Sequence, residues 1–236
     1  AGDVNVGNPG WDASGVKFSN TLSGAALDIW LCEGVKNKDL LPYTFPSAKE
    51  FEDWGGRGVF MGYFLNWSGW ENAIFSIAHG LTPHSGFYED LGVHYKHHSI
   101  DSDFGAAVNF MLKHIKFGFV ETTEQASYDV RTGRITRQEG AALVKNYDGK
   151  CSEKFILEFC SWIDISLDTF WETAESFRGK MWTKNKTNEW ALKAPIWEDY
   201  MNIEELNVKE IVKKLDTIAK GKKLAETIHE KKNEFL

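Results

Sequence analysis

Apolar residues recur at three- and four-residue intervals through most of the chain after position 100, whereas before it they gather in short unbroken runs. In "DSDFGAAVNFMLKHIKFG", Phe104, Val108, Met111, Leu112 and Ile115 share one helical face, and Lys113 and Lys116 sit near the carboxyl end, where cations suit the dipole. Gly118 ends that helix. Thr123 is placed to cap a short helix "EQASYDVR", and Thr136 with Glu139 forms a capping box for "RQEGAALVKNYDG". Two further helices start at Ser152 and Ser166. "KMWTKNKTNEWALKAP" alternates around a polar turn and predicts a small hairpin in which Trp182 and Trp190 cover something apolar. From Ile203 onward the pattern is charged, helical and peripheral.

Upstream the pattern differs. "RGVFMGYFLNW", residues 57–67, is a nearly continuous apolar run of strand length, which suits a strand buried on both faces of a parallel sheet. "SGWENAIFSIAHGL" follows as a helix closed by Gly80. Strand, helix and loop in that order are the unit of an α/β fold. Ligands in such folds gather at the carboxyl ends of strands, which would bring Asn66, Trp67 and Trp70 near a site; the same aromatics fit equally as packing at a strand end. The first fifty residues show turn signals at "GNPGW" and "LPYTFPS" around a short apolar piece.

Composition narrows the classes. With 236 residues, 42% hydrophobic and 14% aromatic, the chain can bury a sizeable core. A formal net charge of -7 argues against a general nucleic-acid binder, so any basic site must be local. Cys32, Cys151 and Cys160 form no CxxC pair, which points to a reducing cytoplasm. The sequence contains no apolar run long enough to span a bilayer. Its first residue is Ala1, in a Gly- and Asn-rich stretch, which fits a processed end or a protein whose front part is missing.

One local basic site stands out. In "FGFVETTEQASYDVRTGRITRQEG", Arg131, Arg134 and Arg137 recur around Gly133, which predicts a turn that fans three guanidinium groups. Guanidinium binds phosphate and carboxylate bidentately. Lys116, Thr123 and Asp129 lie close by in sequence, adding a point charge, a hydroxyl and a carboxylate. The competing reading is a surface ion-pair network with Glu121, Glu124, Asp129 and Glu139. His84, His94, His97 and His98 with Glu89, Asp90, Asp101 and Asp103 are the densest group of potential metal ligands, but their spacing matches no ligand motif; a solvated, His-rich loop is the alternative. The glycines of "GRGVFMG" precede a strand and so do not make a dinucleotide loop, and no P-loop, nucleophile elbow or H-E-x-x-H is present. Ten tryptophans invite sugar stacking, yet most fall on faces that suit core packing.

The run from "KFG" (Lys116 to Gly118) through "TTEQASYDVRTGRITRQEGAALVKNYDG" to "DTFWETAESFRGKMW" and "NEWALK" resembles the carboxyl-terminal half of the N-acetyl sugar amidotransferases. "LLPYTFPSAKEFEDWGGRGVFMGYFLNWSGWENA" resembles the same family in order and distance. These are PP-loop ATP pyrophosphatases of the adenine nucleotide alpha hydrolase type, serving lipopolysaccharide O-antigen and flagellin sugar pathways. The resemblance implies the end of a parallel, Rossmann-like sheet within residues 1–100, a helical substrate-side region with a small hairpin over 101–200, and a peripheral helix over 201–236.

The implied reaction converts a sugar-linked acetamido group to an acetamidino group, using ATP, with Mg2+, and ammonia from a separate glutaminase partner. The other reactant is a nucleotide-activated N-acetyl sugar; neither nucleic acid, membrane nor resident metal is expected. Carried over, the matching positions are Lys116, Gly118, Thr123, Arg131, Gly133, Thr136, Arg137 and Glu139. Of these, Arg131 and Arg137 take catalytic roles facing phosphate or sugar-nucleotide anions, Lys116 takes one facing the charge of departing pyrophosphate, and Thr123 binds substrate. The reading of the turn and of the strand end adds Asp129, Arg134, Asn66 and Trp67 as substrate-binding candidates. Glu139 caps its helix. The family's SGG-x-D-S loop and cysteine-rich amino terminus do not occur in these residues, so the chain by itself is expected to be an incompetent fragment. Val120 and Glu121 stand where the family commonly has Gly-Arg. A non-catalytic helical module that docks a partner through its acidic carboxyl-terminal region and tryptophan hairpin is the alternative from another class.

Overall fold

The computed structural model describes residues 10–11, 27–44, 46–55, 58–59, 64 and 68–220. The chain divides into two compact units, Ala1–Asn72 and Ala73–Leu236.

In the first unit, β1 (Gly10–Trp11) pairs antiparallel with β2 (Gly58–Val59). Helices α1 (Asn37–Leu40) and α2 (Ala48–Trp54) lie between them in sequence, α2 starting from a Ser47/Glu50 capping box and ending on left-handed Gly55. The parallel strand expected over residues 57–67 is thus corrected where it can be seen. Gly58–Val59 is strand, its partner runs antiparallel, and Phe64 is helical. A short apolar run cannot by periodicity be told from a helical segment. Among the described residues every strand pairing is antiparallel, and the protein is mostly helical. Residues 60–63 and 65–67, including Asn66 and Trp67, lie outside those described.

Helix α3 (Gly69–Ala78) ends near left-handed Gly80 as its sequence predicts. The second unit then continues with α4 (Tyr88–Leu91), α5 (Asp103–Phe117), α6 (Glu121–Arg131), α7 (Arg137–Tyr147), α8 (Glu153–Trp162) and α9 (Leu167–Ser176). An antiparallel hairpin of β3 (Trp182–Lys184) and β4 (Trp190–Leu192) follows, and α10 (Val208–Lys220) closes the described chain.

The ends of these helices have simple causes. Ser102 Oγ accepts the Gly105 N–H at 3.1 Å to start α5, and left-handed Gly118 stops it. The Thr136/Glu139 box starts α7. One apolar core joins α5, α8 and α9 through Ala107, Val108, Phe110, Phe155, Ile156 and Phe170. Fully burying each large side chain there contributes about 1.5–3 kcal/mol. Helix α6 packs most extensively on α7. Charged as it is, α10 buries Ile211, Val212 and Leu215 and is tied down by Tyr88 Oη donating to Asp216 at 2.9 Å and by Lys214 reaching Glu139 at 3.2 Å.

Gly92 positions the loop that matters most below. Its φ is +66°, and a Cβ there would overlap the Lys150 carbonyl. Gly133 also has positive φ, +71°, but faces open space. Replacing Gly92 with alanine is therefore expected to cost about 3 kcal/mol or more in denaturant unfolding, while Gly133→Ala costs about 1–2 kcal/mol. Equal costs at the two positions would contradict the close-approach argument.

Candidate functional site

Glu121, Gln125 and Asp129 are spaced four apart and form a polar row along α6. The segment 92–98 lies against that row. Gln125 Oε1 accepts the backbone N–H groups of His94 and Tyr95 at 3.2 and 3.0 Å, and its amide donates to Glu121 at 3.1 Å. Thr122 Oγ1 donates to the Gly92 carbonyl at 2.9 Å. A loop is thereby held to a helix by side chains that satisfy its backbone.

Asp129 is the centre. Its side chain is fully buried, as is that of His94, whose Nε2 donates to Asp129 Oδ2 at 2.9 Å. Tyr95 Oη and Arg134 Nε both donate to Asp129 Oδ1, the latter at 2.7 Å. Burial works to raise the Asp129 pKa, but the hydrogen bonds from His94, Tyr95 and Arg134 outweigh it and hold the carboxyl below its ordinary value. Burial, and then Asp129 itself, push the Tyr95 phenol well up, so it stays a donor.

Two further histidines lie beside this network at half-buried positions. His98 Nδ1 donates to Glu121 Oε1 at 2.5 Å, and that bond raises the His98 pKa against the opposing effect of burial. His97 stacks on Tyr95 with centroids 4.9 Å apart; burial, then the nearby His98 and His94, lower its pKa to about 4. His84 completes the set, bonding Asp103 through Nδ1 and the His98 carbonyl through Nε2 at 2.8 Å. The histidine group is therefore neither the solvated loop nor the metal cluster that its sequence allowed. His84, His94 and His98 each pair with one carboxylate, and no group of three potential ligands converges among the described residues.

The arginine turn forms as predicted at left-handed Gly133, but its members separate. Arg134 folds back onto Asp129, helped by its N–H donating to the Asp129 carbonyl at 2.9 Å. Arg131 is exposed, 5.6 Å from the Tyr128 ring whose other neighbour is Arg134 at 5.1 Å, and Arg137 is exposed in the first turn of α7. Lys116 is exposed at the end of α5, 5.2 Å from the Phe117 ring. Thr123 does not cap its helix, which begins two residues earlier. Asp148, from the end of α7, does so instead, accepting the Val120 and Thr122 N–H groups at 2.9 and 3.0 Å and the Thr123 hydroxyl at 2.7 Å.

Sequence reasoning missed His94 and Tyr95 as partners of Asp129, Gln125 as the side chain that holds their backbone, and Asp148 as a cap. The four-residue spacing of Glu121, Gln125 and Asp129 was the available signal, since three polar residues in one row on an otherwise amphipathic helix call for polar partners. Chemically, the arrangement supplies a fixed anion, a protonatable His98 oriented by Glu121, a neutral His97, and cations on the adjoining turn.

These elements define the class of protein: a helical domain with a small hairpin, organised on a buried carboxylate. Residues 94–207 match the family described as "LPS biosynthesis protein WbpG-like, C-terminal domain", a span that runs from the histidine segment to the residue before α10. Over that portion the chain is similar to this lipopolysaccharide-biosynthesis family. No curated protein matches the chain. No helix among the described residues is long and apolar enough to cross a membrane.

Asp129→Asn is expected to lower unfolding free energy by about 3–5 kcal/mol, since it removes the charge that compensates buried donors. In a proton NMR titration, His97 should remain neutral down to about pH 4, while His98 should titrate above the ordinary histidine value of 6.5. The signs differ accordingly. The His97 contribution to stability is present above 6.5 and is lost as pH falls toward 4. That of His98 is complete below 6.5 and is lost as pH rises through its raised value. Identical titration of the two would refute the described pairings.

Proposed function

We propose that this domain forms the sugar side of an ATP-dependent amidotransferase, which converts the acetamido group of a nucleotide-activated N-acetyl sugar to an acetamidino group for surface polysaccharide synthesis in the cytoplasm. The match of residues 94–207 to a lipopolysaccharide-biosynthesis domain carries the reading. The motif resemblance from Lys116 to Lys193 supplies its chemical detail.

An amide oxygen is a very poor leaving group. Transfer of AMP onto it, with loss of pyrophosphate, makes one that ammonia displaces, leaving the amidine and AMP. The proposal gives ATP and Mg2+ to the pyrophosphatase portion of such an enzyme, since no SGG-x-D-S loop occurs in these residues, and it gives ammonia supply to a glutaminase partner. Here the turn after α6 offers exposed Arg131 and Arg137 to anionic groups, and Arg134, held by Asp129, sets the turn's conformation.

In a protein that joins this domain to its pyrophosphatase portion, pyrophosphate release from ATP should require an N-acetyl sugar nucleotide. Arg131→Ala or Arg137→Ala should cut it by about 10²-fold or more. Release independent of the sugar would overturn the reaction; unchanged rates in both variants would remove these arginines from the site.

A further inference from the structure

The cleft at the root of the hairpin has no part in the network around Asp129. Its volume is about 370 Å3, within the range of small-molecule sites. Its walls include Phe117, Phe119, Met181, Leu192, Ile196 and Trp197. Phe117, Phe119, Met181 and Ile196 remain exposed, a contiguous apolar surface of the kind that marks a binding site. The two polar side chains in the lining are already engaged. Thr123 donates to Asp148, and Lys193 Nζ donates to the Lys180 carbonyl at 2.6 Å. The interior therefore offers flat apolar faces and little to read the hydrogen-bonding edge of a base.

One lysine lines the cleft, Lys193, and two more, Lys116 and Lys180, belong to backbone packed next to its lining residues. Gly179 donates its N–H to the Ile115 carbonyl at 3.1 Å and packs so tightly that a Cβ would overlap the Lys116 carbonyl. That approach packs the Lys116 backbone against Gly179, the neighbour of Lys180. Lys193 lines the cleft with its Nζ on the Lys180 carbonyl, and Lys116 Nζ lies 5.2 Å from the ring of Phe117, another lining residue. Gly118 allows the opposite wall, since a Cβ there would lie 2.6 Å from Met181 Cγ and 2.9 Å from Leu192 Cδ2. All three lysines are exposed. None of the ion pairs found among the described residues joins Lys116, Lys180 or Lys193 to a carboxylate. Three lysines on neighbouring backbone in a chain with net charge -7 favour an anionic ligand.

We infer that this cleft is the binding site for the sugar nucleotide. The ring and acetamido methyl of the N-acetyl sugar lie against the aromatic walls, the ring hydroxyls stay in water at the open side, and the diphosphate meets Lys116, Lys180 and Lys193. The inference rests on the amidotransferase reading and locates its substrate on this chain.

Calorimetric titration of the chain with UDP-N-acetylglucosamine, UDP and N-acetylglucosamine tests it. UDP-N-acetylglucosamine should bind tighter than either part, and more weakly as salt rises. Lys193→Glu and Lys180→Glu, both at exposed positions, should each weaken it roughly tenfold or more. Ile196→Trp, which fills the cleft, should erase the advantage of UDP-N-acetylglucosamine over UDP while leaving UDP binding in place. Equal affinity for UDP and UDP-N-acetylglucosamine, indifference to these substitutions, or displacement by ATP from the same cleft would overturn the location. None of those results touches the sugar requirement for pyrophosphate release, so failure of the location and failure of the reaction are told apart.

Discussion

A single buried carboxylate organises this domain. Asp129 has no access to water, and an isolated ionised carboxylate in such a place would cost several kcal/mol. It is tolerated because three donors from two separate stretches of chain converge on it: His94 and Tyr95 from the loop after α4, and Arg134 from the turn after α6. Removing any of them leaves the others facing an undercompensated charge. The loop, the helix and the turn therefore stand or fall together, and the half-buried His97 and His98 take their positions from that arrangement.

Asp148 plays the same part at the other end of α6. By collecting the first N–H groups of that helix it fastens the end of α7 to the start of α6, and through Thr123 it reaches the wall of the hairpin cleft. The hairpin has its own lock. Arg178 lies 5.0 Å from the Trp182 ring and 4.7 Å from the Trp190 ring, with its Nε donating to Glu175 at 2.8 Å. A guanidinium flanked by two indoles gains about 0.5–2 kcal/mol from each face. The tryptophans that suggested sugar stacking in the sequence are here used, at the hairpin, to hold a cation. Trp162 on α8 is different, 73% exposed at an edge of the α5–α8–α9 core.

The local signals were legible where a backbone rule governs them. The Thr136/Glu139 box, the Ser166 cap and the Gly118 stop follow from residues within four or five positions of one another, and the Trp182–Leu192 hairpin from alternation around a polar turn. The His94 and Tyr95 partners of Asp129 and the cap of α6 were not legible, because they join positions 25 to 35 residues apart and depend on how Gly92 lets the chain pass Lys150. Arginine spacing predicted the turn but not which guanidinium turns inward, a choice made by the buried charge on Asp129. The apolar run before Trp67 misled for another reason: composition without alternation carries no strand direction.

Asp129 must be ionised in the folded protein for this account to hold, and the side-chain carboxyl carbon shift of Asp129, followed by NMR as pH is lowered from 7, measures that directly. The hydrogen bonds to Asp129 predict the shift of a carboxylate that persists below the ordinary aspartate value of 3.8 and changes only as the fold is lost. A protonation step at or above that value, with the fold intact, would contradict it.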